Sequence, residues 1–251
     1  MEGLWTRFLP VSVEVRRLLQ AGVIGTVTRV FADHGLGMDP YWDILPNDRM
    51  IAKELAGGAL LDLGVYSIHW VLQAIAKGNR RPIQILSTMT KYPITGVDET
   101  TTILMKFAPS TAERPGIQAI ASASLRAKTD SDGETAAVRI QGDQGEIQLF
   151  GWPWCPSRLR AIKRSPGMDS PGTISIDKTK LISDDLDGLC YEADEVARCI
   201  RRGLLESPKM PWLESLTVME IMDTVRREND LKFPEEIETV EYPVALPAKR
   251  S

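Results

Sequence analysis

Histidine and cysteine are scarce in this chain of 251 residues. It has two histidines, His34 and His69, and three cysteines, Cys155, Cys190 and Cys199. No C-x-x-C occurs and the histidines lie far apart, so no zinc-ligand spacing can be assembled. An odd cysteine count without a paired pattern favours structural thiols in a reducing compartment, and a cytoplasmic location is expected. An excess of one charge is also missing. Thirty basic residues face 34 acidic ones, a net charge of −4. Neither nucleic acid nor an anionic membrane surface is expected as a partner.

Several motifs are absent. A dinucleotide site needs a strand, G-x-G-x-x-G and then a helix. The nearest approach, Gly35-Leu36-Gly37, lacks the third glycine and runs into Pro40, Tyr41 and Trp42. Gly57-Gly58 has no strand-forming run before it. No Walker sequence, G-x-S-x-G or H-E-x-x-H occurs. One apolar stretch, residues 55–76, has the length of a membrane span, but it contains Asp62, His69, Gln73 and three glycines. Polar groups are costly in lipid, so no membrane association is expected. The N-terminus, with Arg7, Arg16 and Arg17, does not read as a secretory signal.

Patterning then supplies the elements. Helical spacing covers residues 10–21 and ends at Gly22. Alternation predicts a strand over 24–32, followed by a loop over 35–48 rich in Gly, Pro and Asp. A helix is expected over 58–77. Strands are expected over 83–92, 99–107, 117–125 and 135–141. A hairpin through residues 142–145 leads to 146–149. Weaker strands cover 159–164 and 173–176, with a loop over 165–172. Helices at 191–202 and 212–228 follow, the second with Leu213, Leu216, Met219 and Val225 near one stripe. From residue 233 the chain reads as extended. Successive strands without intervening helices predict an α+β fold: an open, mostly antiparallel sheet with helices packed on one face.

Two clusters stand out. On a helix, Asp62, Tyr66, His69 and Gln73 share one narrow face amid apolar residues. Such groups form either a hydrogen-bonded core network or the wall of a pocket. In the second reading Tyr66 and His69 exchange protons and Asp62 binds a hydroxyl. The aromatic residues Trp5, Phe8, Tyr41, Trp42, Trp152 and Trp154 lie in or beside expected loops. They are scattered core and surface groups, or the apolar lining of that pocket. Cys155, between Trp154 and Pro156, has no adjacent base and reads as structural.

The segments Glu2-Gly3-Leu4-Trp5-Thr6-Arg7-Phe8-Leu9-Pro10 and Ala56-Gly57-Gly58-Ala59-Leu60-Leu61-Asp62-Leu63-Gly64-Val65-Tyr66 resemble the glucose-fructose oxidoreductase, inositol dehydrogenase and MocA family. The likeness is to its branch of dimeric dihydrodiol and fungal NADP-dependent xylose dehydrogenases. Thr90-Lys91-Tyr92-Pro93, Gly96-Val97-Asp98-Glu99, Ile140-Gln141-Gly142, Gly145-Glu146-Ile147 and Tyr191-Glu192-Ala193-Asp194-Glu195 extend it to about residue 243. The resemblance implies that residues 1–22 are the remnant of the last Rossmann strand and the helix after it. Residues 23–243 would be the C-terminal α/β domain, and 244–251 a tail. The nucleotide-binding domain, with its glycine-rich turn and catalytic lysine, would be absent. Tyr66 matches the family's acid/base tyrosine and Asp62 a substrate-contacting acid, while Trp5 and Arg7 match residues near cofactor and substrate. His69, the run 152–155 and the segment 50–53 depart from the pattern.

The missing domain and the altered pocket make a cofactor-independent catalyst the leading expectation. It would act on a small apolar metabolite by cyclisation, pericyclic ring closure of the Diels-Alder kind, or isomerisation. Tyr66, Asp62 and His69 would be its catalytic groups. Trp5, Arg7, Tyr41, Trp42, Gln73, Trp152 and Trp154 would bind substrate. No cofactor-binding or metal-binding residue is expected, and NADP would act only if the missing domain were supplied. The alternatives are one half of an NADP-dependent dihydrodiol or sugar dehydrogenase, and a non-enzymatic binding module. A homodimer through the sheet face is expected in each case.

Overall fold

The structure is a computed structural model and describes residues 1–75, 81–109, 116–167, 170–179 and 188–241. Residues 76 and 77 of the expected helix, 168 and 169 of the expected loop, and the expected tail lie outside the described residues.

Eight strands form one sheet in the order β2-β3-β4-β1-β5-β6-β7-β8. In chain order they are β1 (Val27–Gly35), β2 (Gln84–Lys91), β3 (Asp98–Phe107), β4 (Ile117–Ser124), β5 (Val138–Gly142), β6 (Gly145–Trp152), β7 (Cys155–Lys163) and β8 (Thr173–Thr179). All neighbours run antiparallel except β1 and β4, which are parallel. The helices are α1 (Pro10–Gln20), α2 (Val65–Ala74), α3 (Cys190–Arg201), α4 (Trp212–Glu228) and the short α5 (Glu235–Glu238). The expected α+β architecture is the one observed.

Alternation explains the sheet. On β1, Val30, Ala32 and His34 turn inward, while Arg29 and Asp33 face solvent. On β4, Ala119, Ala121 and Ala123 are buried. These small side chains let α2 lie close across β1 and β4. Helix α4 covers β2, and α1 lies beside α2. Leu9, Val15, Leu60, Ile68, Trp70, Leu72, Ile103 and Phe107 fill the core between these layers. Among the described residues no helix covers the other face of the sheet, which exposes Leu86 and Leu104.

The expected helix over 58–77 begins differently. Leu60–Gly64 forms a π turn that runs into α2. Its first amide, Leu60 N–H, donates to Asp98 Oδ2 at 2.6 Å. Asp98, at the start of β3, is fully buried and also accepts from Thr101 Oγ1 at 2.8 Å. Gly58 must be glycine here. Its φ is +124°, and a Cβ would lie 2.1 Å from Asp98 Oδ1. The apolar stretch 53–74 is thus a core element, two-thirds buried in its most apolar part.

Other expectations shift. Residues Trp5–Phe8 form a 3-10 turn, not the strand implied by the resemblance. The hairpin after β5 has two linking residues, Asp143 and Gln144, where four were expected. Strand β6 continues to Trp152 and β7 starts at Cys155, so the run 152–155 is a tight turn within the sheet. On α4 the buried stripe is Thr217, Val218, Ile221, Met222 and Val225. Leu213, Leu216 and Met219 face outward, because the helix carries apolar residues on two sides.

Candidate active site

Tyr66 sits on the first turn of α2 and is half-buried. Its hydroxyl accepts a hydrogen bond from Trp5 Nε1 at 3.3 Å. Its ring stands edge-on to His34, with centroids 5.3 Å apart, and 6.4 Å from Trp154. Trp154 in turn lies 4.6 Å from His34 and stacks on Trp152 at 4.7 Å and 7°. The structure therefore brings together Trp5, Tyr66, Trp152 and Trp154, drawn from a 3-10 turn, a helix and the β6–β7 turn.

That last turn is tied down at three points. Thr6 Oγ1 donates to the Trp154 carbonyl at 2.6 Å, and Trp70 Nε1 to the Pro153 carbonyl at 2.7 Å. Gly151 N–H donates to Asp130 Oδ2 at 2.6 Å. These bonds fix the two stacked indoles against α2 rather than leaving them on a free loop.

One turn before Tyr66, the π turn places Asp62 at the same edge. Its carboxylate is paired with Arg49 at 2.7 Å. Burial raises the Tyr66 pKa above 10.0, with Asp62 and Glu192 adding to the rise and the Trp5 bond and Arg49 opposing it. Tyr66 is a protonated phenol at neutral pH. Burial likewise raises the Glu192 carboxyl above its ordinary value.

His34 was not singled out by the sequence reading. It is fully buried on the inner face of β1, and its Nδ1 lies 3.1 Å from the Leu63 carbonyl of the π turn. A carbonyl only accepts, so Nδ1 carries the proton and Nε2 a bare lone pair. No partner for Nε2 occurs among the described residues. The available signal was period two: His34 follows Val30 and Ala32 on the buried side of a strand.

Burial lowers the His34 pKa from 6.5 to about 4. The unfolded chain takes up this proton near pH 6.5. Stability from the neutral folded form is therefore complete above 6.5 and is lost as pH falls towards 4. The difference amounts to about 3 kcal/mol. Urea unfolding at about pH 7 and about pH 4 should show the native protein losing that much more than His34→Phe; equal losses would contradict the assignment.

The remaining expected residues are elsewhere. His69 and Gln73 are buried and bonded to each other at 2.7 Å, and Gln73 Oε1 accepts from Arg16 Nη1 of α1 at 2.7 Å. They form a network between α1 and α2, so the expected four-residue stripe is divided. The π turn changes the angular step between Asp62 and the three residues on α2. Arg7 is turned inward and forms a buried ion pair with Glu214 on α4, at 2.8 Å. Its expected substrate contact is replaced by this structural one. Tyr41 packs on Tyr92 at 5.0 Å with Arg126 over its ring, and Trp42 is 86% exposed. No described contact joins either to Tyr66. Among the described cavities the most voluminous, about 770 Å³, lies beside α4 between Leu61, Met219 and Phe233, and none of the expected site residues lines it. None of the cavities described is lined by Tyr66.

Residues 12–148 match the GFO/IDH/MocA C-terminal domain. This chain belongs to that family. The family domain contains β1 to β5, α2 and the first half of β6, and with them Asp62, Tyr66 and His34. Among curated proteins, the D-xylose 1-dehydrogenase (NADP(+)) of Hypocrea jecorina is 38% identical over 96% of this chain and 62% of its own length. The trans-1,2-dihydrobenzene-1,2-diol dehydrogenase of Homo sapiens is 30% identical over 94% of this chain and 64% of its own length. The chain thus spans less than two-thirds of these relatives. Among solved structures, an oxidoreductase domain protein from Kribbella flavida superposes with a TM-score of 0.69 at 18% identity, over 91% of this chain and 63% of its own. A levoglucosan dehydrogenase complexed with NADH superposes with a TM-score of 0.66 at 14% identity, over 92% and 64%. At these identities the superpositions establish the fold.

The nicotinamide dinucleotide named for the Hypocrea enzyme and the levoglucosan dehydrogenase has no fitting cradle among the described residues. Gly35 ends β1 and Gly37 follows it, but no helix opens directly after them. A Cβ on Gly35 would lie 2.1 Å from the Ala127 carbonyl, and one on Gly37 2.7 Å from Lys128 Cβ. Close packing on the 127–128 segment accounts for both glycines. Nor do the described residues hold a cluster of metal-ligating side chains.

Proposed function

We propose that this chain is the substrate-binding half of an NADP-dependent dehydrogenase acting on a hydroxylated small molecule, a diol or a sugar. The nicotinamide would be held by a domain outside these 251 residues and would take the hydride. Tyr66 would exchange the proton on the substrate oxygen, with Trp5 fixing its hydroxyl. Asp62, positioned by Arg49, would accept a substrate hydroxyl, and Trp5, Trp152 and Trp154 would flank the carbon skeleton. The observation that carries this reading is Tyr66 itself. It is a half-buried, protonated phenol whose own hydrogen has no acceptor among the described residues, set in an aromatic cluster at the family's acid/base position. The dehydrogenase relatives support the same reading.

The cofactor-independent cyclisation expected above has no observation in its favour. The curated relatives are dehydrogenases. To test the proposal, the segment of the Hypocrea enzyme that this chain does not match is joined ahead of residue 1. D-Xylose and trans-1,2-dihydrobenzene-1,2-diol are then assayed for NADP⁺ reduction. Turnover of either supports the reading. A folded, NADP⁺-binding fusion that oxidises neither would refute it for both substrate classes.

We further propose that two copies associate through the uncovered sheet face. Leu86, Leu104 and Ile174 are exposed there, each more than 40% accessible. Light scattering at micromolar concentration should give twice the 27.9 kDa chain mass. A monomer mass at that concentration would count against it. The three free cysteines suit a reducing compartment such as the cytoplasm.

A further inference from the structure

Two unmatched hydrogen-bonding groups lie on neighbouring rings beside Trp154. His34 offers the Nε2 lone pair, because its Nδ1 proton goes to the Leu63 carbonyl. The imidazole is fully buried, and Nε2 has no partner among the described residues. Tyr66 offers the opposite. Its oxygen accepts from Trp5, and its own hydrogen has no acceptor among the described residues. The two rings are 5.3 Å apart at 65°, with Trp154 against His34 on another side. A buried acceptor and a nearby donor that do not bond each other are matched by one group that does both. A hydroxyl is the smallest such group.

We propose that His34 Nε2 and Tyr66 Oη together grip a single hydroxyl group, the phenol donating to its oxygen and its hydrogen bonding to Nε2. The hydroxyl belongs to a substrate alcohol or, without one, to a buried water. This deepens the substrate-site reading above, on which it rests for the identity of the ligand. His34 thereby becomes a specificity-determining contact. A site with this acceptor favours an alcohol over its deoxy or methyl-ether analogue, because the latter leaves Nε2 unpaired. At this position a phenylalanine would fill the same space and read only shape.

The test is ¹⁵N NMR of the 251-residue chain labelled at histidine, with trans-1,2-cyclohexanediol as probe. A hydrogen bond moves the unprotonated imidazole nitrogen upfield of its free position. An upfield shift of Nε2 that appears or grows with the diol supports the proposal with a substrate alcohol as source. An upfield position unmoved by diol supports it with water as source. A free-imidazole position both with and without diol overturns it. His34→Gln retains an acceptor while His34→Phe removes it. Where the diol binds, its affinity should fall at least about tenfold in the Phe variant and less in the Gln variant. Equal diol binding by the native and Phe proteins overturns the substrate contact. None of these readouts involves NADP, so a failed dehydrogenase assay and a failed His34 contact are separate results.

Discussion

In the NADP⁺-binding fusion, Tyr66→Phe should lower kcat by about 10²–10⁴-fold, the usual contribution of a positioned proton donor or acceptor. The substitution is a narrow one. Phenylalanine keeps the ring that packs against His34 and Trp154. What disappears is the hydroxyl and its 3.3 Å bond from Trp5. A long, half-buried bond of this kind contributes about 1 kcal/mol or less to stability. The thermal midpoint should therefore hardly move while the rate collapses. Burial places the Tyr66 pKa above 10.0, so the phenol stays protonated through neutral and mildly alkaline pH. Reduction of a carbonyl substrate, which needs the proton, should hold its rate over that range. A Tyr66→Phe enzyme within threefold of the native kcat would remove Tyr66 from the chemistry.

Glu214→Leu should destabilise the chain by about 3–5 kcal/mol, because it leaves the Arg7 guanidinium buried and uncompensated. The side chains of Arg7 and Glu214 are 4% and 2% exposed. The pairing is two-pronged, with Nη2 on Oε2 at 2.9 Å and Nη1 on Oε1 at 2.8 Å, and Nε donates to the Lys209 carbonyl at 2.7 Å. Replacing both partners, as Arg7→Met with Glu214→Leu, should recover most of the loss, since an apolar pair of similar volume removes the stranded charge. The pair Arg81 and Glu220 is a control. Its side chains are 62% and 53% exposed, and breaking it should cost less than about 1 kcal/mol. Urea midpoints of the four proteins decide the matter. A Glu214→Leu effect as small as the control would mean that the pair is solvated in solution. Arg7 lies in the 3-10 turn that carries Trp5 and Thr6, so this loss should also loosen the Trp5 contact with Tyr66.

Both predictions mark where sequence patterning reached and where it stopped. Strands β1 to β4 and helices α1, α3 and α4 follow from alternation and 3.6-residue spacing, which are local properties. Tyr66 and Asp62 were reachable because they sit in a polar stripe within an apolar run. The π turn was not, because its first amide is capped by Asp98, 38 residues further along the chain. Without that cap the whole stripe reads as one regular helix, and the partner of Gln73, Arg16 on α1, lies 57 residues away, out of reach of periodicity. The buried ion pair of Arg7 was out of reach for a similar reason. Its partner is 207 residues away, and no periodicity reveals a buried ion pair. Strands β6 and β7 run further towards 152–155 than expected, because Pro153 sits in their two-residue turn and leaves both ladders intact. His34 was overlooked because a single histidine at the end of a strand carries no motif. Only the geometry shows that its second nitrogen is buried without a described partner, on a ring 5.3 Å from that of Tyr66.

The most direct test is a calorimetric titration of NADP⁺ into the folded 251-residue chain, repeated with the fusion that supplies the nucleotide-binding segment. The account predicts no binding by the chain alone and binding by the fusion, because the described residues offer no glycine-rich turn at a helix start. Tight, saturable binding of NADP⁺ by the chain alone would contradict it, and would mean that the nucleotide site lies within these 251 residues.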